Sequence, residues 1–171
     1  MSNPSTITGE QMAGALQILG VNFLFGETNA DALLHKQPDQ LILALAESHE
    51  ARLRLSLIPL FLELPEFSKY VRKIAQGLSE SAQVTLQCYY TAAVLLQRKH
   101  RAELDLLAGK KQPLIDLFSQ KLGLLLTTDP EQDLQALAKR HEILSGMRIN
   151  WLGTYQHALQ VWMRGLEIQK S

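Results

Sequence analysis

The histidines and the carboxylates near them are the first place to look for chemistry, because helical bundles often hold metal ions between Glu and His side chains. The di-iron pattern needs a Glu three positions before a His, and none of the five histidines has one. The densest group is Glu47, His49 and Glu50. Adjacent helical positions diverge by about 100°, so His49 points away from the face that the two glutamates share. The sequence therefore predicts no metal ligands and no cofactor.

Nucleophiles and phosphate-binding loops are the second possibility. Cys88 is the only cysteine, and it has no His or Lys beside it in sequence, so we predict a buried, inert thiol. The pair Gly109 and Lys110 lacks the earlier glycine and the following hydroxyl residue of a phosphate-binding loop. No nucleophile elbow occurs either. We predict no catalytic residue and interpret the protein as a non-enzyme.

The most concentrated polar group runs from Gln97 to Arg101. It divides an acidic part from a basic part: the first 97 residues carry 6 basic and 9 acidic side chains, and the remaining 74 carry 11 and 8. Arg98, His100 and Arg101 could present a basic surface to a nucleic acid or to an acidic protein. The alternative is a solvated helix end, where cations complement the helix dipole.

A second candidate binding surface lies near the C-terminus. Trp151, Tyr155 and Trp162 follow spacings of 4 and 7, which place them on one side of the last helix. Aromatic and arginine side chains are favoured at protein interfaces, so this stripe could anchor a partner, or it could dock on the protein's own core. Together the two groups give the candidate binding residues Arg98, His100, Arg101, Arg148, Trp151, Tyr155 and His157.

Composition predicts the fold class. The chain has 33 Leu and 16 Ala against 5 Val and 8 Thr, and Leu and Ala favour helices whereas β-branched residues favour strands. Its 171 residues, 46% of them apolar, suit one domain with its own core. The net charge of zero argues against general DNA or membrane binding. We expect residues 1–171 to form one all-α domain, a single compact bundle of about seven helices.

Capping residues, prolines and glycines set the predicted helix ends. Besides a short helix at about residues 30–36, the predicted helices lie at about residues 9–19, 38–64, 66–76, 80–108, 113–122, 130–145 and 151–169. The helix, proline, helix pattern of residues 51–70 is typical of a HEAT-like hairpin. Residues 21–25 are predicted to be a buried connector. Thr128 and Glu131 have capping-box spacing before one helix, and Asn150 is predicted to cap the last.

The cellular compartment is also an expectation from sequence. The first residues have neither the basic start nor the apolar core of a signal peptide. No stretch approaches the ~20 apolar residues that span a bilayer. A single cysteine cannot form an internal disulfide, which suits a reducing compartment. We therefore expect a cytoplasmic protein without membrane contact.

Three segments carry a family resemblance. They are Ala51 to Leu62 followed by Leu64-Pro65-Glu66, then Tyr89 to Gln97, and Asn150 to Tyr155. Over about residues 38 to 160, the chain resembles a family of small helical bacterial proteins that is associated with genes for minimal nucleotidyltransferases. The resemblance implies a two-component module of the toxin–antitoxin type, in which the protein partner is a nucleotidyltransferase.

The helical partner in better-known pairs of this type, the HEPN ribonuclease, carries an Arg followed by four to six residues and a His. Here eight residues separate Arg148 from His157, and one separates Arg98 from His100, so the spacing departs from that pattern. We therefore favour a non-enzymatic, antitoxin-like protein-interaction module. The alternative is a HEPN-like protein that binds or cleaves RNA with these residues and Arg101. The sequence does not indicate an oligomeric state.

Overall fold

Helices account for every regular element in residues 7–21 and 34–170, which are the residues that the computed structural model describes. The α-helices are α1 (Gly9–Ile18), α2 (Pro38–Glu47), α3 (Ala51–Leu55), α4 (Leu57–Glu63), α5 (Ser68–Gly77), α6 (Glu80–Lys99), α7 (Arg101–Ala108), α8 (Pro130–Ser145) and α9 (Trp151–Lys170). Short 3-10 helices occupy Leu34–Lys36 and Pro65–Phe67. The predicted all-α class is confirmed.

Helix α6 is the centre of the bundle. Every residue from 86 to 97 is buried, as expected of a helix that is covered on all sides. Helix α8 packs along it most extensively, and α4, α5, α2 and α9 also contact it. Lys99 at the end of α6 pairs with Glu131 at the start of α8, while the Tyr89 ring meets His141 near the end of α8. Helices α6 and α8 are therefore antiparallel.

Two long predicted helices are divided. The helix expected at 38–64 ends first at Glu47, where Ser48 becomes extended and its hydroxyl accepts a hydrogen bond of 3.1 Å from the Glu50 N–H. It divides again at Ser56, because Pro59 has no N–H to donate to a carbonyl four residues earlier. The helix expected at 80–108 is interrupted at His100, between α6 and α7.

The helix predicted at 113–122 is absent. Residues 109–129, here called the strap, run without an α-helix across the bundle. The buried Gln97 side chain accepts a hydrogen bond from the Leu114 N–H at 2.6 Å and donates one to the Gln112 carbonyl at 3.1 Å. The second bond takes the Gln112 carbonyl, which would accept the first intrahelical bond of a helix beginning at Pro113, so tertiary contacts override the local helical preference.

Other side chains complete the attachment of the strap. The Tyr90 hydroxyl donates to the Ile115 carbonyl at 2.7 Å. The Asp116 carboxylate accepts from the backbone N–H groups of Phe118 and Ser119, which makes a local turn instead of a helix. Three apolar side chains anchor the strap in the core, namely Leu114, Phe118 and Leu122.

The capping predictions had mixed outcomes. Asn150 caps α9 as predicted, since its Oδ1 accepts from the Gly153 N–H at 2.9 Å. The capping box that begins at Thr128 is wrong, because Asp129 is the residue whose side chain accepts from the N–H groups of the first turn of α8. An Asp at the N-cap is at least as favourable as a Thr, because its negative charge also interacts favourably with the positive end of the helix dipole.

Helix α5 packs against α2 and α6 and does not lie along α4, as the second helix of a HEAT-like hairpin would. Of the predicted helix at 30–36, only Leu34–Lys36 lies within the described residues, and it is a 3-10 turn. The predicted connector at 21–25 lies outside them except for the buried Val21. Within the described residues, no helix combines the length and apolarity that crossing a membrane requires.

Candidate binding cleft

A cleft of about 940 Å³ opens beside the N-terminal half of α6. One wall comes from the turn between α2 and α3 together with α3 itself, and the other comes from the end of α8 and the loop that leads to α9. Binding sites for small ligands and for anchoring side chains have volumes of roughly 300–1,000 Å³. The cleft is therefore large enough to receive several side chains of a partner.

Three buried aromatic rings, Tyr89, His141 and Trp151, form the floor, and Tyr155 lies behind them. The His141 imidazole stacks on the Trp151 indole with ring centroids 3.6 Å apart and planes inclined by 15°. The Tyr89 ring meets these two edge-on, at 5.6 Å from His141 and 6.4 Å from Trp151, and lies 6.2 Å from Tyr155. The Trp151 Nε1–H donates to the Met147 carbonyl at 3.2 Å, which fixes the indole against the loop before α9. The stacking and this hydrogen bond together restrict the movement of the Trp151 ring.

One hydrogen bond decides the protonation of His141. Its Nδ1 lies 2.6 Å from the Tyr155 hydroxyl, which is fully buried and has no other hydrogen-bond partner among the described residues. The hydroxyl must therefore donate to Nδ1, because a buried O–H without an acceptor is costly. Burial lowers the pKa of His141 to about 3 and raises the pKa of Tyr155, so both are neutral at pH 7. The imidazole proton then resides on Nε2, which has no partner in the described structure.

Two further donors face the same space. The Tyr89 hydroxyl has no hydrogen-bond partner among the described residues, and burial raises its pKa to about 12 against the opposing effect of the Arg54 charge. Arg54 lines the same cleft as Tyr89. Its Nη1 donates to the Ser48 carbonyl at 2.8 Å, but no described carboxylate lies within 4 Å of it. Arg54 thus brings an unpaired positive charge to the cleft.

The carboxylates near Arg54 are mostly occupied. Glu47 accepts hydrogen bonds from the Ser79 N–H at 3.1 Å and from the Ser79 hydroxyl at 3.3 Å, which joins the end of α2 to the start of α6. Glu50 pairs with Arg52 at 3.7 Å on the exposed rim. Glu80 lies on the exposed first turn of α6. None of these carboxylates lies within 4 Å of the Arg54 guanidinium, so its charge is available to a bound group.

One wall of the cleft is apolar and exposed. Leu144, Met147 and Ile149 have exposed fractions of 37%, 52% and 40%, and all three line the cleft. Large apolar side chains that are exposed together are typical of an interaction surface, whereas isolated ones are common on any protein. The cleft therefore combines an apolar wall, an aromatic floor and an unpaired cation.

The basic residues at the end of α6 have a different environment. Arg101 pairs with Asp105 at 3.4 Å and donates to the strap backbone, so it holds the strap in place. The His100 Nδ1 lies 3.4 Å from Glu103. Arg98 is exposed and has no ion pair among the described residues. Of the three candidates in this cluster, Arg98 is the one that has no ion-pair partner among the described residues.

The structure does not bring the two basic groups together. Arg148 is an exposed residue in the loop beside the cleft, and His157 is exposed farther along α9. Arg98 follows Tyr89 of the cleft floor by nine helical residues, which corresponds to about 13 Å along α6. Arg148, beside the cleft, is therefore separated along the bundle from Arg98 at the other end of α6.

Trp151 and Tyr155 are buried, in agreement with the core-docking interpretation of the stripe. Trp151 still borders the cleft, whereas Tyr155 lies behind His141 and supports it. Trp162, the third member of the stripe, is also buried. These rings therefore shape the cleft and do not form an exposed patch.

Sequence reasoning did not identify His141, Arg54 or the role of Tyr89 as site residues. A signal for His141 was present, because it continues the apolar positions Leu134 and Leu137 on one face of α8. A histidine on such a face is buried and needs a hydrogen-bond partner. No comparable signal exists for Arg54, since its position depends on the break between α2 and α3.

Other chemistry is limited in the described residues. Cys88 is buried as predicted, and burial raises the pKa of its thiol to about 12. No three His, Cys, Asp or Glu side chains in residues 7–21 and 34–170 are arranged to hold a metal ion.

Comparison with protein-family models, with curated proteins and with solved structures finds no match to this chain.

Proposed function

We propose that this protein is a helical protein-interaction module whose cleft binds an amphipathic, acidic segment of a partner protein. The observation that carries the proposal is the exposed apolar wall of Leu144, Met147 and Ile149, which adjoins the aromatic floor of the cleft. Burying these side chains on binding would remove apolar surface from water, which is the main favourable term in protein association.

Charge supports an acidic occupant. Arg54 contributes a positive charge without a carboxylate partner within 4 Å among the described residues, and Arg148 adds an exposed one on the neighbouring loop. Complementary charge favours encounter and selects against basic segments. The family resemblance supplies the partner class, a minimal nucleotidyltransferase, and with it a cytoplasmic, antitoxin-like role.

Binding to the nucleotidyltransferase encoded nearest to this gene tests the proposal. Isothermal titration calorimetry with the two purified proteins should give a saturable interaction. The Met147→Glu and Ile149→Glu variants should weaken it by about tenfold or more, because a carboxylate on the apolar wall would be desolvated on docking. Leu125→Glu is the matched control, since Leu125 is 94% exposed in the strap and does not line the cleft.

Absence of binding, or equal affinity of the cleft variants and the Leu125→Glu control, would overturn the proposal. Thermal unfolding of each variant separates a binding defect from misfolding. All three side chains are exposed, so these changes should leave the melting temperature nearly unchanged.

A further inference from the structure

The cleft brings together three donor groups, none of which has a carboxylate partner among the described residues. These are the Arg54 guanidinium, the Tyr89 hydroxyl and the Nε2–H of His141, and all three residues line the same cleft. We infer that they form a carboxylate-binding site, which takes an Asp or Glu side chain from the segment that docks there. This inference rests on the proposed function and specifies what that segment must carry.

The tautomer of His141 is the first step. Since Tyr155 donates to Nδ1, the ring can only donate from Nε2, and a neutral imidazole N–H is a good partner for a carboxylate oxygen. His141 is 2% exposed, but its Nε2 is not among the fully buried polar atoms that lack a partner, so this N–H is accessible from the cleft, where water or a ligand oxygen can accept from it. Trp151 stacks on one face of the ring and prevents it from turning to another acceptor.

The second step is the geometry of the other donors. The Tyr89 and His141 rings meet edge to face, with centroids 5.6 Å apart and planes inclined by 78°, and both rings line the cleft. Arg54 lines the same cleft, and its positive charge opposes the rise in the pKa of Tyr89 that burial causes. A carboxylate has about four lone-pair positions and can accept from all three groups at once.

The third step is selectivity. Charge-assisted hydrogen bonds are about twice as strong as neutral ones, and Arg54 would provide one to a carboxylate but a weaker one to an amide. The other ionisable side chains that line the cleft are Glu47, His49, Arg52 and Glu80. Arg52 pairs with Glu50, whereas Arg54 has no carboxylate within 4 Å among the described residues, so Arg54 is the lining cation that can pair with a ligand.

Two matched small molecules test the site without the partner. The probes are 4-phenylbutyrate and 4-phenylbutyramide. They share an aromatic stem, but the first ends in a charged carboxylate and the second in a neutral amide. NMR titration of the full chain, followed at the indole N–H of Trp151, should show that the carboxylate binds about tenfold more tightly than the amide. Arg54→Gln should remove the preference, and Tyr89→Phe should reduce it while preserving the ring.

Arg52→Gln is the matched control, because Arg52 lies on the same rim but is exposed and paired with Glu50. It should keep the preference for the carboxylate. Equal binding of the two probes, no binding of either, or equal losses in Arg52→Gln and Arg54→Gln would overturn the carboxylate site. None of these results bears on whether Met147→Glu weakens partner binding, so the proposed function is judged separately.

Discussion

His141 on α8 stacks on Trp151 at the start of α9 at a centroid distance of 3.6 Å, across the loop of residues 146–150. The same imidazole accepts from Tyr155 one turn farther along α9. Two contacts therefore fix one ring from two sides, and they determine how α8 and α9 meet. Because this junction forms one wall of the cleft, its chemistry connects the stability of the fold to the shape of the candidate site.

Acid should destabilise the protein through His141. An unfolded histidine has a pKa of about 6.5, whereas burial lowers the pKa of His141 to about 3. Between these values the unfolded state binds more protons, so the contribution of His141 is complete above about pH 6.5 and is lost as the pH falls toward 3. The expected loss is about 1 kcal/mol per pH unit in this window. Urea denaturation between pH 7 and pH 4 measures it.

The control for this pH effect is a double variant, His141→Phe with Tyr155→Phe, which removes the titrating ring and its donor together. Its free energy of unfolding should depend less steeply on pH than that of the wild type. His157→Gln changes an exposed histidine and should retain the wild-type dependence. The same pH dependence in the double variant and the wild type would contradict the assignment to His141.

Removing the Tyr155 hydroxyl alone should also be destabilising. Tyr155→Phe leaves the buried Nδ1 of His141 without its donor, which costs about 1–3 kcal/mol in the free energy of unfolding. Tyr70→Phe is the matched control, because Tyr70 is only half-buried and its hydroxyl has no hydrogen bond among the described residues. Chemical denaturation compares the two, and equal stabilities would show that the His141–Tyr155 bond contributes little.

Local signals predicted most of the helices but not the strap. Prolines, glycines and caps act within a few residues, so the ends of α8 and α9 follow from the sequence. The strap is held by Gln97 and Tyr90, which lie 15 to 25 residues away from their backbone partners. No periodicity within residues 113–122 contains that information, and the helical pattern there was therefore misleading.

The candidate site was less predictable for the same reason. Its donors come from α3, α6 and α8, and their proximity depends on how α2 and α3 are connected and on how α8 packs against α6. The stripe of Trp151 and Tyr155 was visible in the sequence, but their partner His141 was not. Pairwise contacts between distant helices are tertiary facts, and composition and spacing do not encode them individually.

The attachment of the strap can be tested at Gln97. Gln97→Leu removes the bonds to the Gln112 carbonyl and the Leu114 N–H and leaves both backbone groups unpaired, which should cost about 2 kcal/mol or more. Hydrogen exchange of the Leu114 amide should become faster. Gln160→Leu, at an exposed position of α9, should change neither quantity. Unchanged protection of Leu114 in Gln97→Leu would show that the strap is held by its apolar anchors alone.

The last prediction concerns RNA. Acid–base cleavage requires its catalytic groups within about 3 Å of the atoms between which the proton moves. His100 faces Glu103 at one end of α6, whereas Arg148 lies beside the cleft near the other end and His157 is exposed along α9. We therefore expect the purified protein to leave labelled tRNA intact in a gel assay at neutral pH. Turnover that disappears in His100→Ala or His157→Ala would contradict this expectation and favour the ribonuclease alternative.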